Sequence, residues 1–206
     1  MMNDTLNQLF QSCPVIPVAV IHSLDEVAPM LTALSEGGVT AVEITFRTPC
    51  AKDAIALAVN QFPSMVVGAG TILNKQQAEE ALAAGASFIV SPGLSEEVAA
   101  VCLAREIPYL PGCVTPTEIM KAISLGLSVV KFFPADVYGG LSAIKALAAP
   151  FGGIRFMPTG GIDLSNLADY LACDKVAAVG GSFILKGDIA KNCKELRRLI
   201  ETRKDK

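Results

Sequence analysis

Short apolar runs recur along this chain at near-constant spacing, and that repeat limits the fold more than any other feature. Runs that read as strands begin near Val15, Val39, Met65, Ser87, Ile107, Ser128, Ile154 and Val176, at intervals of 24, 26, 22, 20, 21, 26 and 22 residues. A segment with helical periodicity follows each run. Units of this length build parallel sheets, because a parallel neighbour has to be reached by a crossover helix. Eight units fit a sheet closed into a TIM (β/α)8 barrel, and 206 residues lie at the short end for that fold. An open doubly wound sheet competes with it and would place a ligand at one switch point in the strand order. Polar residues at most strand ends favour the closed form. No linker or change of composition divides the chain. The expectation is one α/β domain over residues 1–206, with an additional amphipathic helix over residues 1–11 covering the barrel bottom.

Helix signals fall between the runs. Ser23-Leu-Asp-Glu26 reads as a capping box, and Gly37 as the matching stop. Asn74 with Gln77 opens a helix that Gly85 closes. Thr115-Pro-Thr-Glu118 combines an N-cap, a first-turn proline and a capping glutamate, and Gly126 ends that helix. Residues 192–203 read as a charged outer helix.

Half of the chain is hydrophobic and 18% is charged, which excludes a disordered segment. The net charge is −3 with both signs interspersed, so no nucleic-acid partner is expected. The longest apolar stretch, Val15 to Ile21, is too short for a bilayer. No secretory signal is apparent, and the expected location is cytoplasmic with no membrane association. Six cysteines (13, 50, 102, 113, 173 and 193) lie far apart without CxxC spacing, beside the single histidine His22. That pattern suits buried thiols in a reducing compartment and argues against a structural zinc site or a disulfide framework. Neither metal nor cofactor is expected.

Lys131 is the exceptional residue within this frame. It has two apolar residues on each side, in Ser128-Val-Val-Lys-Phe-Phe-Pro134. A lysine there is costly unless its charge is paired or its proton lost. A desolvated amine is also what attacks a ketone to form a Schiff base. Strand two carries Val42, Ile44 and Phe46 on one parity and Ala41, Glu43, Thr45 and Arg47 on the other. If the apolar set faces the helices, Glu43 points inward and shares a cavity with Lys131. Two structure-only readings stay open: a Glu43–Arg47 ion pair, or a Lys131–Glu43 salt bridge without chemistry.

Glycine turns complete the pattern. Gly68-Ala-Gly-Thr71 lets backbone approach a ligand and puts a hydroxyl at the rim. Met157-Pro-Thr-Gly-Gly161 and Val179-Gly-Gly-Ser182 each precede a helix. In a barrel, the loops after strands seven and eight commonly hold phosphate. Close helix–strand packing is the alternative use. Ser91-Pro92-Gly93 and Pro111-Gly112-Cys113 are weaker turn signals. His22 reads as a turn residue, Asp136 and Tyr138 as loop residues near the mouth, and Arg155 as lying at the opposite end.

Taken in order, Gly38-Val-Thr-Ala-Val-Glu-Ile-Thr-Phe-Arg-Thr-Pro49, Gly68 to Thr71, Ser91-Pro-Gly93, Pro111-Gly112, Lys131-Phe-Phe-Pro-Ala135, Pro158-Thr-Gly-Gly161 and Gly180-Gly-Ser182 resemble the bacterial 2-keto-3-deoxy-6-phosphogluconate (KDPG) aldolases. Those enzymes also act as 4-hydroxy-2-oxoglutarate (KHG) aldolases. The resemblance covers nearly the whole chain. It implies a metal-independent class I aldolase, usually a homotrimer, acting on a small keto-acid. It places the Schiff-base lysine on Lys131 and the proton-transferring glutamate on Glu43. It puts the pyruvate end on Arg47 and Thr71, and the phosphate site on Gly160, Gly161 and Ser182. Pro92 and Phe133 match pocket-lining positions. Thr159 matches a position linked to configuration at the cleaved carbon, which tilts the expectation from the galactonate epimer toward KDPG. Two rivals stand beside this reading: another phosphate-binding barrel enzyme, such as an epimerase or decarboxylase, and a noncatalytic phosphometabolite sensor.

Overall fold

Parallel strands form at every expected run, each starting within three residues of the position read from the sequence. They are β1 (Val15–Ala19), β2 (Ala41–Thr45), β3 (Val66–Gly70), β4 (Ile89–Val90), β5 (Tyr109–Leu110), β6 (Val129–Phe132), β7 (Arg155–Pro158) and β8 (Val179–Gly181). The helices are α1 (Met2–Ser12), α2 (Val27–Glu36), α3 (Ala51–Gln61), α4 (Lys75–Ala83), α5 (Glu96–Ala104), α6 (Pro116–Ser124), α7 (Gly140–Ala148), α8 (Leu167–Ala172) and α9 (Ile189–Lys204). The structure is a computed structural model that describes residues 2–204, with side chains over 6–201. Met1, part of the helix expected over residues 1–11, lies outside the described residues.

The ladders form two sheets where one closed sheet was expected. Six strands run in the order β5-β4-β3-β2-β1-β8, and β6 pairs with β7. Isolated parallel bridges cross the two gaps: Gly112 to Lys131 in one, and Phe156 to Val176 and Thr159 to Gly180 in the other. Proline explains the interruption, because it cannot donate to a ladder. Pro108 and Pro111 flank the two-residue β5, and Pro158 ends β7.

β1 and β2 are buried at every position, so each is covered on both faces. Helices pack on one face through residues such as Leu31, Leu34, Ile55 and Ile119, none with measurable exposure. The α6 box forms as read: the Thr115 hydroxyl accepts from Glu118 N, the Glu118 carboxylate accepts from Thr115 N, and Pro116 takes the first turn. The Ser23 box does not form as read. Ser23 caps a single tight turn over Leu24–Glu26, and Glu26 reaches back one residue further, to His22 N. The left-handed stop after α2 is Gly38 (φ 78°) rather than Gly37 (φ −70°).

α1 lies across the amino ends of the strands. Leu6 and Leu9 share a pocket with Val66, Ser87, Phe88 and Pro108. From β7 the Arg155 guanidinium donates to Asn7 Oδ1. Among the described residues, no helix is long and apolar enough to cross a membrane.

Candidate active site

β2 and β6 bring Glu43 and Lys131 together across the interior. Lys131 Nζ donates to Glu43 Oε1 over 3.3 Å. Glu43 is fully buried and Lys131 is 4% exposed. Lys131 is rooted by main-chain bonds on both sides of its side chain: its N–H donates to Pro111 O (2.8 Å), and its carbonyl accepts from Cys113 N (2.9 Å). The Phe133 ring centroid lies 5.3 Å from the ammonium, within cation–π range. The second carboxylate oxygen, Glu43 Oε2, is buried with no partner. Leaving such an atom unbonded costs about 1–3 kcal/mol. A buried ion pair is itself weak evidence of stabilisation.

Room for Glu43 comes from β3. A Cβ on Gly70 would stand 1.9 Å from Glu43 Oε1, and one on Gly68 would stand 2.2 Å from the Phe88 ring. These glycines were expected to admit a ligand to the backbone; the structure fills their space with protein side chains. Sequence reading therefore missed the part Gly70 plays, although a glycine inside a strand is the signal for close approach.

Arg47 does not pair with Glu43. β2 ends at Thr45, so Arg47 lies in the following turn, exposed, and its Nε donates to Thr71 Oγ1 (3.2 Å). Thr71 has φ 58°, an outlier for a β-branched residue. Ladder bonds on either side hold it there: Phe46 N donates to Gly70 O (2.7 Å) and Ile72 N to Val90 O (3.2 Å). Such backbone strain costs about 1–3 kcal/mol and clusters at functional sites.

The loops after β3, β4 and β5 are stitched together behind this rim. The Ser91 hydroxyl, which sequence reading did not single out, donates to Ile72 O (2.6 Å). Pro92 is exposed, and its carbonyl lies so close to Gly112 that a Cβ there would meet it at 1.9 Å. Burial pushes the nearby Cys113 thiol up to about 12, with a smaller push from Glu118, so it stays protonated and is a poor nucleophile.

The opposite side of the interior is built from the turns after β7 and β8. Thr159 N donates to Phe132 O (2.9 Å), and Thr159 O accepts from Ala135 N (2.8 Å). The Thr159 hydroxyl is buried without a partner, and a Cβ on Gly180 would come within 2.4 Å of it. Gly160 and Gly161 are left-handed, with φ 96° and 67°. The missing Cβ of Gly161 makes way for Asp136, which would otherwise be met at 2.2 Å. Ser182 is exposed at the end of β8. His22 and Asp136 are exposed, Tyr138 packs edge-on against Phe132, and Arg155 lies at the other end of β7.

Residues 6–199 match the family model described as KDPG and KHG aldolase. The 2-dehydro-3-deoxy-phosphogluconate aldolase of Dickeya dadantii (strain 3937) is 48% identical over 181 residues, covering 88% of this chain and 85% of its own. The crystal structure of the 2-keto-3-deoxy-6-phosphogluconate aldolase of Zymomonas mobilis ZM4 with 3-phosphoglycerate superposes with a TM-score of 0.89 at 38% identity, covering 95% of both chains. That of the Legionella pneumophila KDPG aldolase, with pyruvate captured at low pH as a covalent carbinolamine, gives 0.86 at 38% identity and covers 96% of this chain and 97% of the other. With nearly its full length matched, this chain belongs to the KDPG and KHG aldolase family.

Proposed function

We propose that this protein is a class I aldolase that cleaves 2-dehydro-3-deoxy-6-phosphogluconate to pyruvate and D-glyceraldehyde 3-phosphate, and 4-hydroxy-2-oxoglutarate to pyruvate and glyoxylate. The observation that carries the reading is the buried Lys131–Glu43 contact at 3.3 Å, with Glu43 Oε2 left unbonded beside it. A structural ion pair would satisfy both carboxylate oxygens; a proton-transfer group needs one left for the substrate or a bridging water.

Lys131, as the free amine, attacks the C2 ketone to give a carbinolamine, which loses water to form a protonated imine. Glu43, through a bridging water, takes the proton of the C4 hydroxyl. The C3–C4 bond breaks, its electrons pass to C3 and the imine nitrogen, and the aldehyde leaves. The enamine is protonated at C3 with a proton returned from Glu43. Water then hydrolyses the imine and releases pyruvate. The imine serves as the electron sink. Arg47 makes charge-assisted bonds to the pyruvyl carboxylate, with Thr71 beside it. Pro92 and Phe133 line this pocket. Thr159 offers its unbonded hydroxyl to the middle of the substrate. Gly160, Gly161 and Ser182 receive the phosphate on backbone N–H groups and a hydroxyl.

The Gly112–Lys131 and Thr159–Gly180 bridges support reading the two sheets as one eight-stranded barrel with its site at the carboxyl ends. We further infer a cytoplasmic homotrimer serving the Entner–Doudoroff pathway, by likeness to the family. Incubation with pyruvate and borohydride should leave a reduced adduct on the peptide containing Lys131. An unmodified Lys131, or an adduct on another lysine, overturns the assignment. Substrate binding without pyruvate release would instead mark a sensor.

A further inference from the structure

The turns after β7 and β8 offer neutral donors, yet carboxylates stand near them. Asp136 packs against Gly161, and Asp163 lies two residues beyond it. A phosphate carries roughly −1.5 to −2 charges near pH 7 and would be repelled by that pair unless a cation stood at the same place.

Lys186 is such a cation. It follows the single turn Phe183–Leu185 that begins at Ser182. With Ser182 it lines a cleft of about 370 Å³, whose other walls include Val18, Val20, Glu26 and Met30. Glu26 is turned to His22 N (3.1 Å), and Lys186 makes no ion pair among the described residues. The Lys186 backbone is held from α9: Asn192 Nδ2 donates to Lys186 O (2.7 Å) and Ile184 O (3.0 Å). Its field reaches the β7 turn as well. The Asp163 carboxyl is held below its ordinary range chiefly by hydrogen bonds from Ser165, with a smaller attraction from Lys186. Lys186 thus shares a cleft with Ser182 at the β8 turn, fixed at its root and, among the described residues, without an ion pair at its tip.

We propose that Lys186 determines specificity: its ammonium receives the substrate phosphate beside Ser182 and favours the phosphorylated six-carbon keto-acid over 4-hydroxy-2-oxoglutarate. This rests on reading the β7 and β8 turns as the phosphate end. The shorter substrate carries a single-charged carboxylate attached directly to C4, two carbons and an ester oxygen nearer the cleaved bond than the phosphate, and so gains less from the same cation. The interaction is solvent-exposed and is sized accordingly.

The test compares kcat/KM for both substrates in the wild type, K186A and K186R. K186A should lower kcat/KM for the phosphorylated substrate about fivefold, through KM, and the value for 4-hydroxy-2-oxoglutarate several-fold less. K186R should recover most of the loss, and the gap between wild type and K186A should close in about 1 M salt. Equal losses on both substrates, or no loss, overturn the proposal. A wild type that prefers the phosphorylated substrate while K186A is unchanged removes Lys186 alone. A wild type indifferent to the phosphate removes the reading of the turns and Lys186 with it.

Discussion

At the amino ends of the strands, Arg155 is bonded to Asn7, the Ser12 hydroxyl to Leu9 O, and the Cys13 thiol to Val15 O. Towards the carboxyl ends, Glu43 Oε2 and Thr159 Oγ1 are buried and bonded to nothing, and Thr71 holds a left-handed backbone. One end satisfies its polar atoms within the chain; the other leaves atoms open at a stability cost. The difference points to the carboxyl ends as the place where water or a ligand finds atoms to bond, because the large majority of buried polar atoms in folded proteins have a partner.

The largest effect should come from removing the pair itself. Lys131→Met ought to abolish pyruvate release and, by stranding a buried carboxylate, cost about 3–5 kcal/mol in thermal or denaturant unfolding. Glu43→Gln alone should keep the fold and lose about 10²–10⁴-fold in turnover. The double variant Lys131→Met/Glu43→Gln should be inactive yet at least as stable as the wild type. A double variant as unstable as Lys131→Met would make the pair structural and break the contrast between the ends.

Gly70→Ala tests the fit more gently. Its Cβ would lie 1.9 Å from Glu43 Oε1, so the carboxylate has to move. A displacement near 1 Å should cost about 10²-fold in turnover, and overpacking about 1–3 kcal/mol in stability. Turnover near the wild-type value would mean that Glu43 needs no exact position.

The smallest catalytic effect belongs to the amino end. Arg155→Met removes the partner of Asn7 and should lower stability by about 1–3 kcal/mol, with kcat/KM unchanged within about twofold. If unfolding is unaffected while turnover falls, the division between the two ends is wrong.

Strand positions and the Lys131–Glu43 meeting were legible because both follow from local rules, the spacing of apolar runs and the alternation of side chains along a strand. The Thr115 box was legible for the same reason. Sheet continuity was not, since it depends on where prolines interrupt particular ladders. Nor was the partner of Arg47, because parity stops counting once β2 turns at Phe46. The left-handed Thr71 is imposed by its neighbours' ladder bonds rather than by its own preference, and no pattern in the sequence announces it. What fills the space beside Gly68 and Gly70 is likewise a tertiary fact: Phe88 and Glu43 come from separate strand regions.

The main-chain bonds that root Lys131, to Pro111 and Cys113, have a consequence for descent and redesign. They belong to the polypeptide itself, so no exchange of side chains at those two neighbours deletes them, short of a proline at 113, which would remove the donor. The Lys131 side chain springs from an origin that most sequence drift around it leaves in place. A lineage, or an engineer, can therefore change the distant turns without having to solve the placement of Lys131 again.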